Sequence, residues 1–151
     1  MSADSPLNIV ICWHMHQPQY CDLVSGTYQL PWTYLHATKD FIDMAAHLEA
    51  VPESRAVVNF APILLEQLSD YAGQGNGFLS EHKGIRDPLL AALASAVLPS
   101  NKEQRMELVN ACLRANEMRS IKRFEHYQKL AEMAGWFQEH PSGILYVSDQ
   151  F

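Results

Sequence analysis

Apolar residues cluster in two short runs early in the chain and in helical stripes after them. Leu7-Asn8-Ile9-Val10-Ile11-Cys12-Trp13 is a nearly continuous apolar run rich in β-branched side chains, the pattern of a strand covered on both faces. Residues 14–35 then read as a long loop, with Pro18, Gly26 and Pro31 along it. From His36 to Ala50 the residues Phe41, Met44, Ala45 and Leu48 recur at helical spacing, and Pro52 stands where that helix has ended. Arg55-Ala56-Val57-Val58-Asn59-Phe60 is a second predicted strand. Pro62 opens a helix through Ile63, Leu64, Leu65, Leu68 and Tyr71, and the glycines of Gly73-Gln74-Gly75-Asn76-Gly77 are expected to end it. Strand, long loop, helix, strand, short loop, helix is a βαβα order, which implies a parallel sheet with right-handed crossovers.

The second half reads as mostly helical. Asp87 and Pro88 start a helix toward Leu98, and Ser100 with Glu103 has capping-box spacing before a long helix. Met106, Val109, Leu113, Ile121 and Phe124 give that helix one apolar stripe, interrupted by Asn116, Glu117 and Ser120. Such a break is either a bend with an exposed turn or a set of polar groups facing a cleft. Pro141 and Gly143 introduce Ile144-Leu145-Tyr146-Val147 as the start of a further unit, with Ser148 and Asp149 as caps of a following helix. The expected division is therefore two β/α units over 1–72, a helical region over 73–143 and the start of another unit over 144–151. Two or three parallel strands leave open sheet edges and a partly covered core, so the pattern reads as part of a larger domain.

Composition narrows the function. A chain of 151 residues with 48% hydrophobic content has the size and the apolar material of one globular domain. Its formal charge is −6, and residues 101–133 hold seven of the eleven basic groups but only five of the seventeen acidic ones. The remainder is strongly acidic, which argues against nucleic acid or an anionic membrane surface as partner. Cys12, Cys21 and Cys112 are odd in number with no C-x-x-C spacing, so neither a disulfide framework nor a zinc ribbon is implied. The first residues lack the basic group of a signal peptide, and no apolar run reaches the roughly 18 residues of a membrane span. A cytoplasmic location is the expectation.

The candidate chemistry lies in Trp13-His14-Met15-His16-Gln17-Pro18, where the first strand ends. Loops at the C-terminal ends of parallel strands carry the sites of such folds. His14 and His16 flank one residue, so on extended backbone both imidazoles share a face. The pair suits two ligands of one metal ion, two hydrogen-bonding groups aimed at one polar substrate, or one packed and one solvated histidine. Pro18 fixes the backbone after Gln17 and holds its amide in place. Tyr20, Tyr28, Trp32 and Tyr34 either seal the core under the loop or form a platform for flat sugar rings whose hydroxyls bond to His, Gln and Asn. Asn59, at the end of the second strand, is either a structural cap or a second contact converging with His14.

Three segments carry a family resemblance: Trp13-His14-Met15-His16-Gln17-Pro18-Gln19-Tyr20, then Leu30-Pro31-Trp32-Thr33-Tyr34-Leu35-His36-Ala37-Thr38-Lys39-Asp40-Phe41, and Val57-Val58-Asn59-Phe60-Ala61-Pro62. In this order and spacing they resemble the start of glycoside hydrolase family 57, and Tyr146–Phe151 adds to the likeness. The resemblance implies the N-terminal portion of an incomplete seven-stranded (β/α) barrel, with a largely helical second half. It implies action on an α-glucan or maltooligosaccharide by a retaining amylase, glucanotransferase or branching enzyme, with no metal or other cofactor. His16 and Gln17 are then the first candidates for substrate contacts, with His14, Trp32 and Asn59 second. The family's Glu nucleophile and Asp general acid/base lie in later segments without counterpart here, so no catalytic residue is assigned and the chain alone is expected to be inactive, requiring the remainder of the barrel. Two other readings stand beside this one: a metal-dependent hydrolase with His14 and His16 as ligands, and a non-catalytic carbohydrate-binding remnant.

Overall fold

The computed structural model describes residues 7–95 and 97–148, in two compact units, Met1–Pro88 and Leu89–Phe151. The first unit holds a two-stranded parallel sheet of β1 (Cys12–Met15) and β2 (Val57–Phe60). Its helices are α1 (Trp32–Ala37), α2 (Asp40–Ala50) and α3 (Pro62–Glu81). The protein is thus mixed α/β with a small parallel sheet and mostly helices.

Only four residues of the first apolar run pair with β2, and they lie at its end. Cys12, Trp13, His14 and Met15 stand opposite Val57, Val58, Asn59 and Phe60, so His14 falls inside the strand rather than after it. The expected strand over Leu7–Trp13 is corrected accordingly, because a ladder extends only as far as its partner. The same run is not covered on both faces: Val10 is 81% exposed, and Leu7, Ile9 and Ile11 are exposed as well. Val57, Val58 and Phe60 on β2 are also exposed, whereas Met15 is buried.

Between the strands, the long loop is folded on itself. Cys21 and Tyr28 form an antiparallel bridge, and Gln29 N–H donates to the Tyr20 carbonyl at 2.9 Å. Asp22 caps the intervening turn through Val24 N–H and the Ser25 hydroxyl, and that hydroxyl holds its carboxyl below the usual range. Gly26 closes the turn at φ 71, a conformation that side-chain-bearing residues avoid. The single helix expected over His36–Ala50 is two, broken at Thr38 and Lys39. Asp40 and Asp43 then stand in the first turn of α2, where negative charge is favoured, and Lys39 pairs with both.

Extended Ala61 followed by Pro62 starts α3 as expected, but the glycine cluster does not stop it. Gly73, Gly75 and Gly77 cost helix stability without forcing an end, since glycine is also allowed in the right-handed helical region. Gln74 supports the continuation by donating to Asp70, one turn earlier, at 2.7 Å. The helix ends at His82, which is left-handed at φ 55. His82 N–H bonds back to the Phe78 carbonyl, the 5→1 closure of an αL stop, and Lys83 N–H also reaches the Gly77 carbonyl.

Under the loop, α3 buries Leu64, Gln67 and Tyr71, one face at helical spacing. Tyr28 and Tyr34 pack on Tyr71 with ring centroids 4.3 and 5.6 Å away. Tyr28 of the loop and Tyr34 of α1 therefore seal the core, and neither serves as a sugar platform. The Tyr28 hydroxyl donates to Asp70 at 2.8 Å and the Tyr71 hydroxyl to buried Asp87 at 2.6 Å. Burial, and then the adjacent carboxylate, push both phenols well above their ordinary value of 10.0.

In the second unit the elements are α4 (Pro88–Ala94, beginning at the boundary residue), α5 (Lys102–Cys112), a π-helical turn (Glu117–Ile121), α6 (Glu125–Glu139) and a 3-10 helix (Pro141–Tyr146). The first helix stops at Ala94, short of Leu98. Asn101, not Ser100, caps α5 by accepting from Gln104 N–H at 3.1 Å. The expected long helix is broken: Asn116 caps the π-helical turn through Arg119 N–H at 2.8 Å, so the polar interruption of the stripe is an exposed bend. Ile144, Leu145 and Tyr146 end the 3-10 helix rather than forming a strand, with Val147 extended after them, and Arg105 reaches from α5 to donate to the carbonyls of Ile144 at 3.1 Å and Val147 at 2.8 Å. The cap expected at Asp149 lies outside the described residues. Between α5, α6 and the 3-10 helix lies an apolar cavity of about 280 Å³ lined by residues such as Leu108, Leu113, Leu130 and Phe137. Among the described residues, no helix is long and apolar enough to cross a membrane.

Candidate functional site

The parallel pairing aligns the C-terminal ends of β1 and β2, and the register sets His14 directly against Asn59. Side chains alternate along a strand, so buried Met15 turns to the opposite face from His14 and His16, and both imidazoles are exposed. His14 Nδ1 lies 2.7 Å from Asn59 Oδ1. An amide oxygen only accepts, so Nδ1 is the donor of this bond and Nε2 is the ring nitrogen left for a ligand hydroxyl. The two imidazoles are stacked, with centroids 5.8 Å apart and planes 12° from parallel. His14, His16 and Asn59 thus form one exposed polar edge at the strand ends.

Gln17 follows His16 in the chain and is half-buried. The Tyr20 hydroxyl donates to its Oε1 at 3.0 Å, which leaves the amide NH2 as the part of Gln17 able to donate to a ligand. Trp32 stands apart from this group: it begins α1, half-buried, with its ring 6.3 Å from that of His36. Among the described residues no ring contact joins Trp32 to His14 or His16. His36 in turn pairs with Asp40, and it is chiefly this partner that holds the Asp40 carboxyl below the usual carboxylate range.

One residue of this region escaped the reading of the sequence. Gln67 sits on the buried face of α3 between Leu64 and Tyr71 and bonds to the backbone of Pro18 and Tyr20. Its signal was available, since an amide at a core position of an apolar helical stripe must find partners.

The nearby carboxylates are engaged structurally. Asp70 accepts from Tyr28, Gln74 and Arg86, Asp87 from Tyr71, and Asp40 pairs with His36 and Lys39. Among the described residues no three His, Cys, Asp or Glu side chains are grouped to hold a metal ion. The edge as it stands offers hydrogen-bonding groups with no carboxylate among them: imidazole nitrogens and amides. Such a set suits a neutral, hydroxyl-rich ligand.

No curated protein and no solved structure matches the chain. A family model does, that of glycosyl hydrolase family 57, over residues 10–144. That span includes both strands, the His-Gln-Pro loop, all of α3 and nearly all of the second unit. With nine-tenths of its length matched, the chain belongs to glycosyl hydrolase family 57.

Proposed function

We propose that this chain supplies the sugar-holding wall of a retaining enzyme acting on α-glucans or maltooligosaccharides, with His14, His16, Gln17 and Asn59 as substrate contacts and Trp32 as an outlying one. The bond between His14 and Asn59 carries the reading. It joins two candidates from different strands, commits Nδ1 of one to the bond, and leaves its Nε2 free of that bond beside a stacked second imidazole. On this reading β1 and β2 are the first two strands of an incomplete seven-stranded (β/α) barrel, whose further strands would cover the exposed apolar side chains of the pair.

Retaining hydrolysis needs two carboxyl groups about 5 Å apart across the scissile bond, one ionised to attack the anomeric carbon and one protonated to donate to the leaving oxygen. Asp40, Asp70 and Asp87 are committed to cations, amides and phenols in the first unit. The family resemblance places the nucleophile and the acid in later segments, so on this reading they come from polypeptide outside these 151 residues. Hydrolysis, transfer and branching share this wall and differ in what completes it.

The test uses the purified chain with maltoheptaose. Calorimetry is expected to show binding that weakens on His16→Ala and Gln17→Ala, with no release of reducing sugar. Turnover by the chain alone, or the absence of binding, refutes the reading. Stoichiometric zinc that disappears on His14→Ala would replace it with the metal-dependent hydrolase.

A further inference from the structure

Gln67 is 2% exposed, and burying a primary amide is costly unless every polar atom finds a partner. Here the satisfaction is complete. Oε1 accepts from Tyr20 N–H at 3.1 Å and from the Thr33 hydroxyl at 3.3 Å. Nε2 donates to the Pro18 carbonyl at 2.9 Å and to the Ile63 carbonyl at 3.3 Å. An amide has two acceptor sites and two donor hydrogens, and all four are used.

The pattern of those bonds is specific. Pro18 C=O and Tyr20 N–H are the two backbone groups flanking Gln19, and a neighbouring parallel strand would bond to that same pair. The side chain of Gln67 thus substitutes for a strand residue, pinning the loop as a sheet partner would without extending the sheet. Through Thr33 it also fixes the residue next to Trp32. Tyr20, whose backbone it holds, is the residue whose hydroxyl orients the Gln17 amide.

We propose that Gln67 is a positioning residue for sugar binding: it sets the backbone of Pro18 and Tyr20, Tyr20 sets the amide of Gln17, and Gln17 meets the ligand with its NH2 group. The proposal rests on the reading of His16 and Gln17 as the sugar wall. It differs from a simple tie between loop and helix in requiring that the effect pass through Gln17.

The test uses the full chain and maltoheptaose. Gln67→Met keeps the volume and deletes all four bonds. It is expected to weaken binding about tenfold, the size of one to two lost hydrogen bonds. Hydrogen exchange at the Tyr20 amide is expected to accelerate by a similar factor, while the Gly26 amide, held by the Asp22 carbonyl at 2.7 Å, keeps its protection. In a Gln17→Ala background Gln67→Met is expected to weaken binding further by less than about twofold. Tyr20→Phe removes only the phenol oxygen and poses little risk to folding; it is expected to reduce affinity about threefold with backbone exchange at residue 20 unchanged. Additive losses in the Gln17→Ala background, unchanged exchange at Tyr20 in Gln67→Met, or full affinity in Tyr20→Phe each overturn the proposal. Should Gln67→Met fail to fold, the Tyr20→Phe affinity decides. Failure of the wild-type chain to bind maltoheptaose overturns the sugar reading instead, and exchange at Tyr20 still reports whether Gln67 holds the loop.

Discussion

Replacing Tyr71 by phenylalanine deletes one oxygen and nothing else from the core of the first unit. The ring keeps its packing against Tyr28 and Tyr34, so no cavity forms and the change isolates the bond to Asp87. That bond is 2.6 Å long, and its acceptor is a carboxylate only 1% exposed. A hydrogen bond to a buried charged group is worth about 1.5–3 kcal/mol, so a loss of about 2 kcal/mol is expected at neutral pH. For a unit of this size the melting temperature should fall by about 8–16 °C. Urea denaturation at constant m-value measures the difference directly. The pH dependence provides a second check with a defined sign. The folded phenol is held above 10.0 by burial and by Asp87, so the unfolded chain ionises first and wild-type stability declines as pH rises past 10.0. The slope attributable to Tyr71 is about 1.4 kcal/mol per pH unit, and the phenylalanine variant lacks it. The gap between the two proteins should therefore shrink to below about 1 kcal/mol by about pH 11. A neutral-pH difference under about 0.5 kcal/mol, or a gap that persists at high pH, refutes the assignment of stability to this bond.

Three further outcomes are expected. Asn59→Leu removes the acceptor from His14 at an exposed position, so maltoheptaose affinity measured by calorimetry should drop about fivefold while chemical stability changes by less than about 0.5 kcal/mol. His82→Gly relieves a left-handed residue at the end of α3 and should raise the stability of the first unit by about 1 kcal/mol in urea titrations; a loss of stability would contradict the αL stop. Arg105→Met deletes the donors to Ile144 and Val147 and should destabilise the second unit by about 2 kcal/mol, read as a lowered melting temperature and faster proteolysis around residues 141–147.

Much of the topology was legible because it rests on local chemistry. Pro62 after extended Ala61 marks a helix start in any context, and the two β-branched runs do pair in parallel. The shared face of His14 and His16 follows from strand periodicity, and their exposure is a matter of what covers the sheet. Failures arose where a distant partner decides. Leu7–Ile11 has the composition of a buried strand, but the ladder is limited by the four residues of β2, with only the Ile11 carbonyl joining beyond it. The glycines after Tyr71 look like a stop, yet the bond from Gln74 to Asp70 and the closure at His82 carry the helix past them. Tyr28 and Tyr34 resembled members of a sugar platform because composition does not reveal that Tyr71 lies beneath them. Gln67 stands out as an amide on an apolar stripe, but its partners do not: they include backbone groups of Pro18 and Tyr20, and a peptide group leaves no trace in the side-chain pattern.

The paired strands have a practical consequence for work with the isolated chain. Among the described residues β1 and β2 bond only to each other, so each has an outer row of N–H and C=O groups next to exposed valine and phenylalanine side chains. Such a ribbon is a template for intermolecular β-pairing, and its tendency to aggregate rises with concentration. Affinity measurements are therefore best made on dilute samples checked by light scattering, and lysine at Val58 would be the first substitution to keep neighbouring molecules apart.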